Sequence, residues 1–259
     1  MRRQKMKVVL FTIFGFSVRS YGVVVAISIL LAYGIARVLT KNTVYEKHLL
    51  DFLLYSMIGA IIGARIWHVF FFQWPYYSKH PGEIFAIWNG GISILGAVVG
   101  GLIVMFFYTR YHKLNFFEMA DFLVPALVLG QGFGRIACLL NGDAFGSPTG
   151  SSFGLVYPPG TQAYDTYGSK PLWPAEVWEG QGDFVIFALL FMLKDKKLPQ
   201  GFLLSIYIIL YSILRFMLEI LRGDSPRYLF HWTAGQWTSV CLIMVALTLG
   251  LYNFKKKAV

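Results

Sequence analysis

Seven runs of roughly 20 predominantly apolar residues constrain this chain more than any other feature, at 21–39, 50–72, 87–109, 116–140, 176–193, 202–221 and 235–251. A helix of that length crosses the ~30 Å hydrocarbon core of a bilayer. Lipid offers backbone amides no partner, so each run must satisfy its own N–H and C=O groups as a helix. The chain is 56% hydrophobic and 17% aromatic, which supports the same class. Connections are short except residues 141–173, a Gly-, Pro-, Ser- and Thr-rich stretch too polar to span, which reads as a small extramembrane lobe. The expected architecture is all-α: one polytopic membrane domain over residues 1–259, with seven transmembrane helices and that lobe. No internal repeat and no low-complexity tail interrupts it.

A net charge of +10 invites a nucleic-acid reading, but its distribution argues otherwise. One set of connections collects Arg37, Lys41, Lys47, Arg110, Lys113, Lys194, Lys196, Lys197, Lys255, Lys256 and Lys257, whereas the opposite set holds Lys79, Lys170, Arg222 and Arg227. The positive-inside rule makes the first set and the C-terminus cytoplasmic, and faces 141–173 and the N-terminus outward. No nucleic-acid partner is expected. The basic residues 1–7 (MRRQKMK) conflict with an outward N-terminus, and with the apolar 8–16 they resemble the start of a secretory signal. No small-residue cleavage site follows, so residues 1–20 read as an interfacial arm, with either Met1 or Met6 as the start. An eighth crossing segment here is the alternative.

Cys138 and Cys241 give no disulfide framework, and His48, His68, His80, His112 and His231 show no metal-ligand spacing. Neither a metal nor a cofactor is expected. The glycine run at 130–134 (GQGFG) follows no strand and reads as a helix-packing surface.

The chemistry therefore has to be sought among charges inside the spans, where a guanidinium costs about 3 kcal/mol on insertion scales and usually has an anion to meet. In the stretch 120–146, Arg135 lies deep in an apolar, glycine-studded run with Asp121 before it and Asn141-Gly142-Asp143 at its exit. Arg215, Glu219 and Arg222, spaced by four and three residues, share one helix face. Arg215 with Glu219 reads as a structural ion pair. Arg135 and Arg222 read as a pair converging near the outer headgroups, suited to a phosphate diester held by bidentate hydrogen bonds. Arg65 pairs with Asp121 or Glu118, or snorkels to the interface. Gly90 and Gly91 either ease helix packing or expose backbone to a ligand. Tyr21 is an interfacial anchor or a headgroup contact.

On these residues the chain resembles the prolipoprotein diacylglyceryl transferase family over nearly its full length. The likeness rests on Arg19-Ser20-Tyr21-Gly22, Gly63-Ala64-Arg65, Trp88 with Gly90-Gly91, Ala120-Asp121-Phe122, Pro125, Gly134-Arg135, Asn141-Gly142, Gly146, Glu219 and Arg222-Gly223-Asp224-Ser225. The resemblance implies a seven-span enzyme active at the outer face of the bacterial cytoplasmic membrane. It would move the diacylglyceryl group of phosphatidylglycerol onto the lipobox cysteine of a preprolipoprotein signal peptide, releasing glycerol 1-phosphate. It implies that Arg135 and Arg222 hold the lipid phosphate and stabilise the leaving group, with Tyr21, Asn141, Asp143 and Gly146 lining the site. Gly90, Gly91, Glu219 and Arg65 complete the expected substrate-binding set.

Three positions depart from the family pattern: Leu95 stands where it has His, Cys138 where it has Asn, and Trp173-Pro174-Ala175-Glu176-Val177-Trp178-Glu179 where it has His-Pro-x-Gln-Leu-Tyr-Glu. Losing the imidazole removes the obvious base for a thiol. Cys138 is a buried small hydrophobe or a nucleophile near Arg135. Two other functions stay open at this point: a divergent paralogue with another lipid or acceptor, and a non-catalytic lipid- or peptide-binding membrane protein.

Overall fold

The computed structural model describes residues 8–13 and 16–258. A hairpin of β1 (Val9–Ile13) and β2 (Phe16–Arg19) leads into α1 (Ser20–Thr40) and α2 (Leu49–Trp67), which a π-helical turn (His68–Phe72) extends. α3 (Trp74–Tyr77) and two 3-10 turns (Pro81–Phe85, Ile87–Asn89) precede α4 (Ile94–Tyr111) and α5 (Phe116–Asn141). The short α6 (Gln162–Tyr167) is followed by α7 (Ala175–Leu193), α8 (Phe202–Glu219) and α9 (Ala234–Ala258). Among the described residues, five helical stretches are long and apolar enough to cross a membrane: Ser20–Thr40, Glu46–Phe72, Ile94–Tyr111, Phe116–Asn141 and Phe202–Glu219. Exposed Leu30, Ile58, Phe107 and Met244 give these helices and α9 apolar outer surfaces, as a lipid solvent requires. The chain is a helical, multi-pass membrane protein.

Two expectations change. The all-α reading misses the antiparallel hairpin, in which Val9 pairs with Arg19 and Ile13 with Phe16. Ser20 closes it, its N–H and Oγ–H both donating to the Val8 carbonyl at 3.0 and 3.2 Å. With strands at 9–13 and 16–19, the eighth crossing segment has no helix to carry it among the described residues. The basic residues 1–7, with both candidate starts Met1 and Met6, lie outside the described residues. The third apolar run also fails to be helical from residue 87. Gly90 (φ 85°) and Gly91 (φ 74°) adopt left-handed backbone that ends the preceding turn, so the helix begins at Ile94.

The chain divides into two compact units, Thr40–Met119 and the combination of Met1–Leu39 with Ala120–Val259. In the Thr40–Met119 unit α2 lies directly on α4. A Cβ on Gly63 would collide with the Gly96 carbonyl oxygen and one on Gly100 with that of Gly59, so only glycine permits this backbone contact.

In the other unit Val124 and Val128 of α5, Ile186 and Leu190 of α7, and Leu203 and Tyr207 of α8 form a buried core. Asp121 of α5 caps α8 from outside: its carboxylate accepts from the N–H groups of Gly201 (2.7 Å) and Leu204 (2.9 Å), two donors the helix cannot use itself. Asp121→Ala is expected to cost about 1–2 kcal/mol through the lost cap and the lost anion at the helix N-terminus. A lowered thermal midpoint in detergent checks this, and Asp121→Asn should recover part of it. The segment between α5 and α7 has its own small core of Phe145, Tyr157, Ala163 and Leu172, tied by bridges from Leu172 to Pro148 and Leu155.

Candidate active site

Four side-chain groups, from α5, α8 and the chain following α8, meet at one carboxylate of α7. Glu179 of α7 is completely buried. Its Oε1 accepts from Arg135 Nη2 of α5 at 2.6 Å, and its Oε2 accepts from Arg215 Nη1 of α8 at 3.1 Å. Arg222 Nη1 stands 3.9 Å from the same Oε2, and the Tyr211 hydroxyl reaches Oε1 at 3.4 Å. Arg215 also makes the expected pair with Glu219, at 2.7 Å. Several cations around a sealed anion repay the desolvation that any one of them would suffer alone.

Arg222 is not on the α8 face that its spacing suggests, because the helix ends at Glu219. It sits in extended chain that forms a bridge with Gly146: Ser147 N–H donates to the Leu221 carbonyl at 2.7 Å, and Gly223 N–H to the Phe145 carbonyl at 3.1 Å. The Tyr167 hydroxyl donates to the Gly223 carbonyl at 3.0 Å. Asp224 takes Nε and Nη2 of Arg222 bidentately, each at 2.7 Å, and so orients the guanidinium. Nη1 is left buried and without a hydrogen-bond partner among the described residues.

Asn141 ends α5 and donates from Nδ2 to Asp143 Oδ2 at 3.0 Å, while the other Asp143 oxygen is buried and unpartnered. Tyr21, in the first turn of α1, is exposed and within electrostatic reach of Cys138, Asp143 and Arg135. Cys138 is a half-buried free thiol three residues beyond Arg135. Tyr157 donates to Glu176 of α7. Burial and the Glu176 charge push the Tyr157 hydroxyl well above the usual phenol range, so it stays a donor. The structure thus brings Arg135, Arg222, Glu219, Asn141, Asp143, Gly146 and Tyr21 into one unit.

Arg65, Gly90 and Gly91 belong to the Thr40–Met119 unit. Arg65 pairs with neither Asp121 nor Glu118; Asp121 caps α8, and Glu118 accepts from the Tyr45 hydroxyl at 3.1 Å. Its guanidinium instead donates to backbone carbonyls: Nε to Ile84 (2.8 Å), Nη1 to Gly90 (2.7 Å) and Gly91 (2.8 Å), and Nη2 to Glu83 (2.7 Å) and Ala86 (3.4 Å). With all five donors engaged, Arg65 fixes the loop that carries the two glycines, and its N–H groups are already spent on protein. Leu95 is exposed in the first turn of α4.

The sequence reading passed over the acids of α7 as site residues. Glu176, Glu179 and Asp183, at intervals of three and four, lie on one face of an apolar helix, and all three are fully buried. Three acids on one face of a would-be span are a demand for cations, and that signal was present in the sequence.

Helices able to cross a bilayer, with guanidiniums gathered on a buried carboxylate, define a multi-pass membrane protein with a polar site built among its helices. The family model described as "Prolipoprotein diacylglyceryl transferase" matches residues 8–252. Two relatives, both named phosphatidylglycerol–prolipoprotein diacylglyceryl transferase, are similar along nearly the whole chain. One, from Finegoldia magna, is 34% identical over 253 residues, covering 97% of each chain. The other, from Staphylococcus aureus (strain bovine RF122 / ET3-1), is 36% identical over 240 residues, covering 92% of this chain and 85% of its own. The chain belongs to the prolipoprotein diacylglyceryl transferase family.

Proposed function

We propose that this protein transfers the diacylglyceryl group of phosphatidylglycerol to the cysteine thiol of a preprolipoprotein lipobox. The observation that carries the reading is the convergence of Arg135 and Arg222 on Glu179, with Nη1 of Arg222 buried and unpartnered. Arg222 already carries Asp224 on its other edge, so its free nitrogen is the position for a further acceptor oxygen, and a lipid phosphate supplies one. Thiolate sulfur attacks the terminal glycerol carbon, the C–O bond to phosphate breaks, and glycerol 1-phosphate leaves with its electron pair on oxygen. Charge grows on that oxygen in the transition state, so the two guanidiniums contribute most where binding must strengthen. Tyr21, Asn141, Asp143 and Gly146 line the site, and Glu219 holds it through Arg215.

The protein acts in the bacterial cytoplasmic membrane with seven spans, α7 and α9 included. Its C-terminus is cytoplasmic, its N-terminus extracytoplasmic, and residues 141–173 form an outer lobe that admits the signal peptide. The acids of α7 fit a span because all three are buried within the protein, Glu179 against the arginines.

Purified protein in phosphatidylglycerol vesicles is expected to add a diacylglyceryl mass to a lipobox peptide and to release glycerol 1-phosphate in equal amount. Well-folded protein giving no product sinks the reading. Transfer confined to acceptors lacking a lipobox, or to another lipid in a panel, decides instead for a paralogue with altered substrates.

A further inference from the structure

Transfer to a thiol liberates one proton, and a protein group must take it if the reaction is to run near neutral pH. In the unit that holds the arginine cluster the described imidazole is His231, exposed on a 3-10 turn. The carboxylates divide sharply. Glu179 is occupied by arginines, Glu219 by Arg215, and Asp224 by Arg222 through both oxygens. Asp143 also keeps one buried oxygen without a hydrogen-bond partner, the other taking Asn141, but it lies in the turn after α5 and not on the α7 face that meets the arginines. Asp183 has two unpartnered oxygens but lies seven residues further along the apolar α7 than Glu176.

Glu176 is different. It is fully buried, its Oε1 accepts from the Tyr157 hydroxyl, and its Oε2 is sealed from water with no hydrogen-bond partner among the described residues. It stands one turn ahead of Glu179 on the same face of α7. The charged groups within electrostatic reach of it are Arg222, from the chain after α8, and Arg135, from α5; Asp143 and Cys138 are within reach of Tyr157. Because Glu176 is one helical turn from Glu179, which Arg135 and Arg222 approach to 2.6 and 3.9 Å, its bare oxygen is placed to neighbour a phosphodiester seated on the two arginines. A carboxylate oxygen buried without a donor is relieved by gaining a proton.

The geometry points to Glu176, oriented by Tyr157, as the proton acceptor for the attacking thiol; this rests on the transferase reading given above. Oε2 takes the S–H proton as sulfur forms its bond to the glycerol carbon and the carbon–oxygen bond to phosphate breaks. The proton then passes to the departing phosphate monoester, which restores the carboxylate and balances charge.

The test uses the full chain in phosphatidylglycerol vesicles with two lipobox peptides, one bearing cysteine and one bearing selenocysteine, whose selenol is already ionised at neutral pH. Glu176→Gln keeps the shape and an acceptor for Tyr157. It is expected to slow transfer to the thiol peptide about 100-fold at pH 7. The gap should narrow as pH rises through the thiol range near ~8.5, and transfer to the selenol peptide should stay close to the parent rate. Should the glutamine variant fail to fold, Glu176→Asp serves by the same thiol-to-selenol ratio, with a roughly tenfold loss confined to the thiol peptide. Equal losses on both peptides, or an unchanged thiol rate at pH 7, overturn the assignment. Parent protein that labels neither peptide overturns the transferase reading itself, and the assignment with it.

Discussion

The Arg222→Ala protein is expected to fold, to enter membranes normally, and to transfer about 10³-fold less diacylglyceryl than the parent. Folding should survive because residue 222 is held by its backbone: the bridge to Gly146 and the hydrogen bonds at Ser147 and Gly223 do not involve the side chain. What is lost is the unpartnered Nη1, and with it the fork that Asp224 aligns. Lysine at this position restores charge but not the planar fork, so Arg222→Lys should recover only a small part of the rate. Transfer rates per folded molecule, with folding checked by size-exclusion profile and thermal midpoint in detergent, decide the matter. Activity of the alanine variant within tenfold of the parent would remove Arg222 from the chemistry.

Glu179→Ala should do the reverse and strike stability first. The carboxylate is bonded to Arg135 and Arg215 and stands near Arg222, and removing it leaves a group of guanidiniums facing one another without their shared anion. Breaking such a buried pair from one side costs about 3–5 kcal/mol. The expected result is a large fall in the thermal midpoint together with loss of transfer. Glu179→Gln, which keeps the acceptor oxygen, should fall between the two proteins. Pairing Glu179→Gln with Arg135→Met, whose ion pair is with Glu179, should return part of the stability, because one of the stranded charges goes too. If Glu179→Ala melts with the parent protein, the carboxylate is not the structural centre that its contacts imply.

Helix positions were largely legible in the chain because apolar length is a local property. The runs at 21–39, 116–140 and 202–221 became Ser20–Thr40, Phe116–Asn141 and Phe202–Glu219 with ends shifted by a residue or two. The i, i+4 spacing of Arg215 and Glu219 likewise announced their pair. Elsewhere the deciding partner was not a side chain at all. Arg65 spends its donors on carbonyls presented by the loop before α4, and no pattern of residue types marks a backbone acceptor. The left-handed Gly90 and Gly91 shortened the third apolar run because hydrophobicity does not encode φ. Glu179 was visible as a residue but not as a centre. Its importance depends on α5 and α8 converging on one turn of α7, and that convergence is tertiary.

The bridge between Gly146 and Arg222 joins chain segments that emerge from the ribosome far apart in time. Arg135 is synthesised before Glu179, and Glu179 before Arg215, Glu219 and Arg222. The Arg135 guanidinium is therefore made before the carboxylate of α7 that neutralises it. The wall that carries Arg222 is finished only when the stretch following α8 docks against residues 145–147. A ribosome stalled between these events would leave a chain that is inserted, compact in its early helices and unable to process lipid.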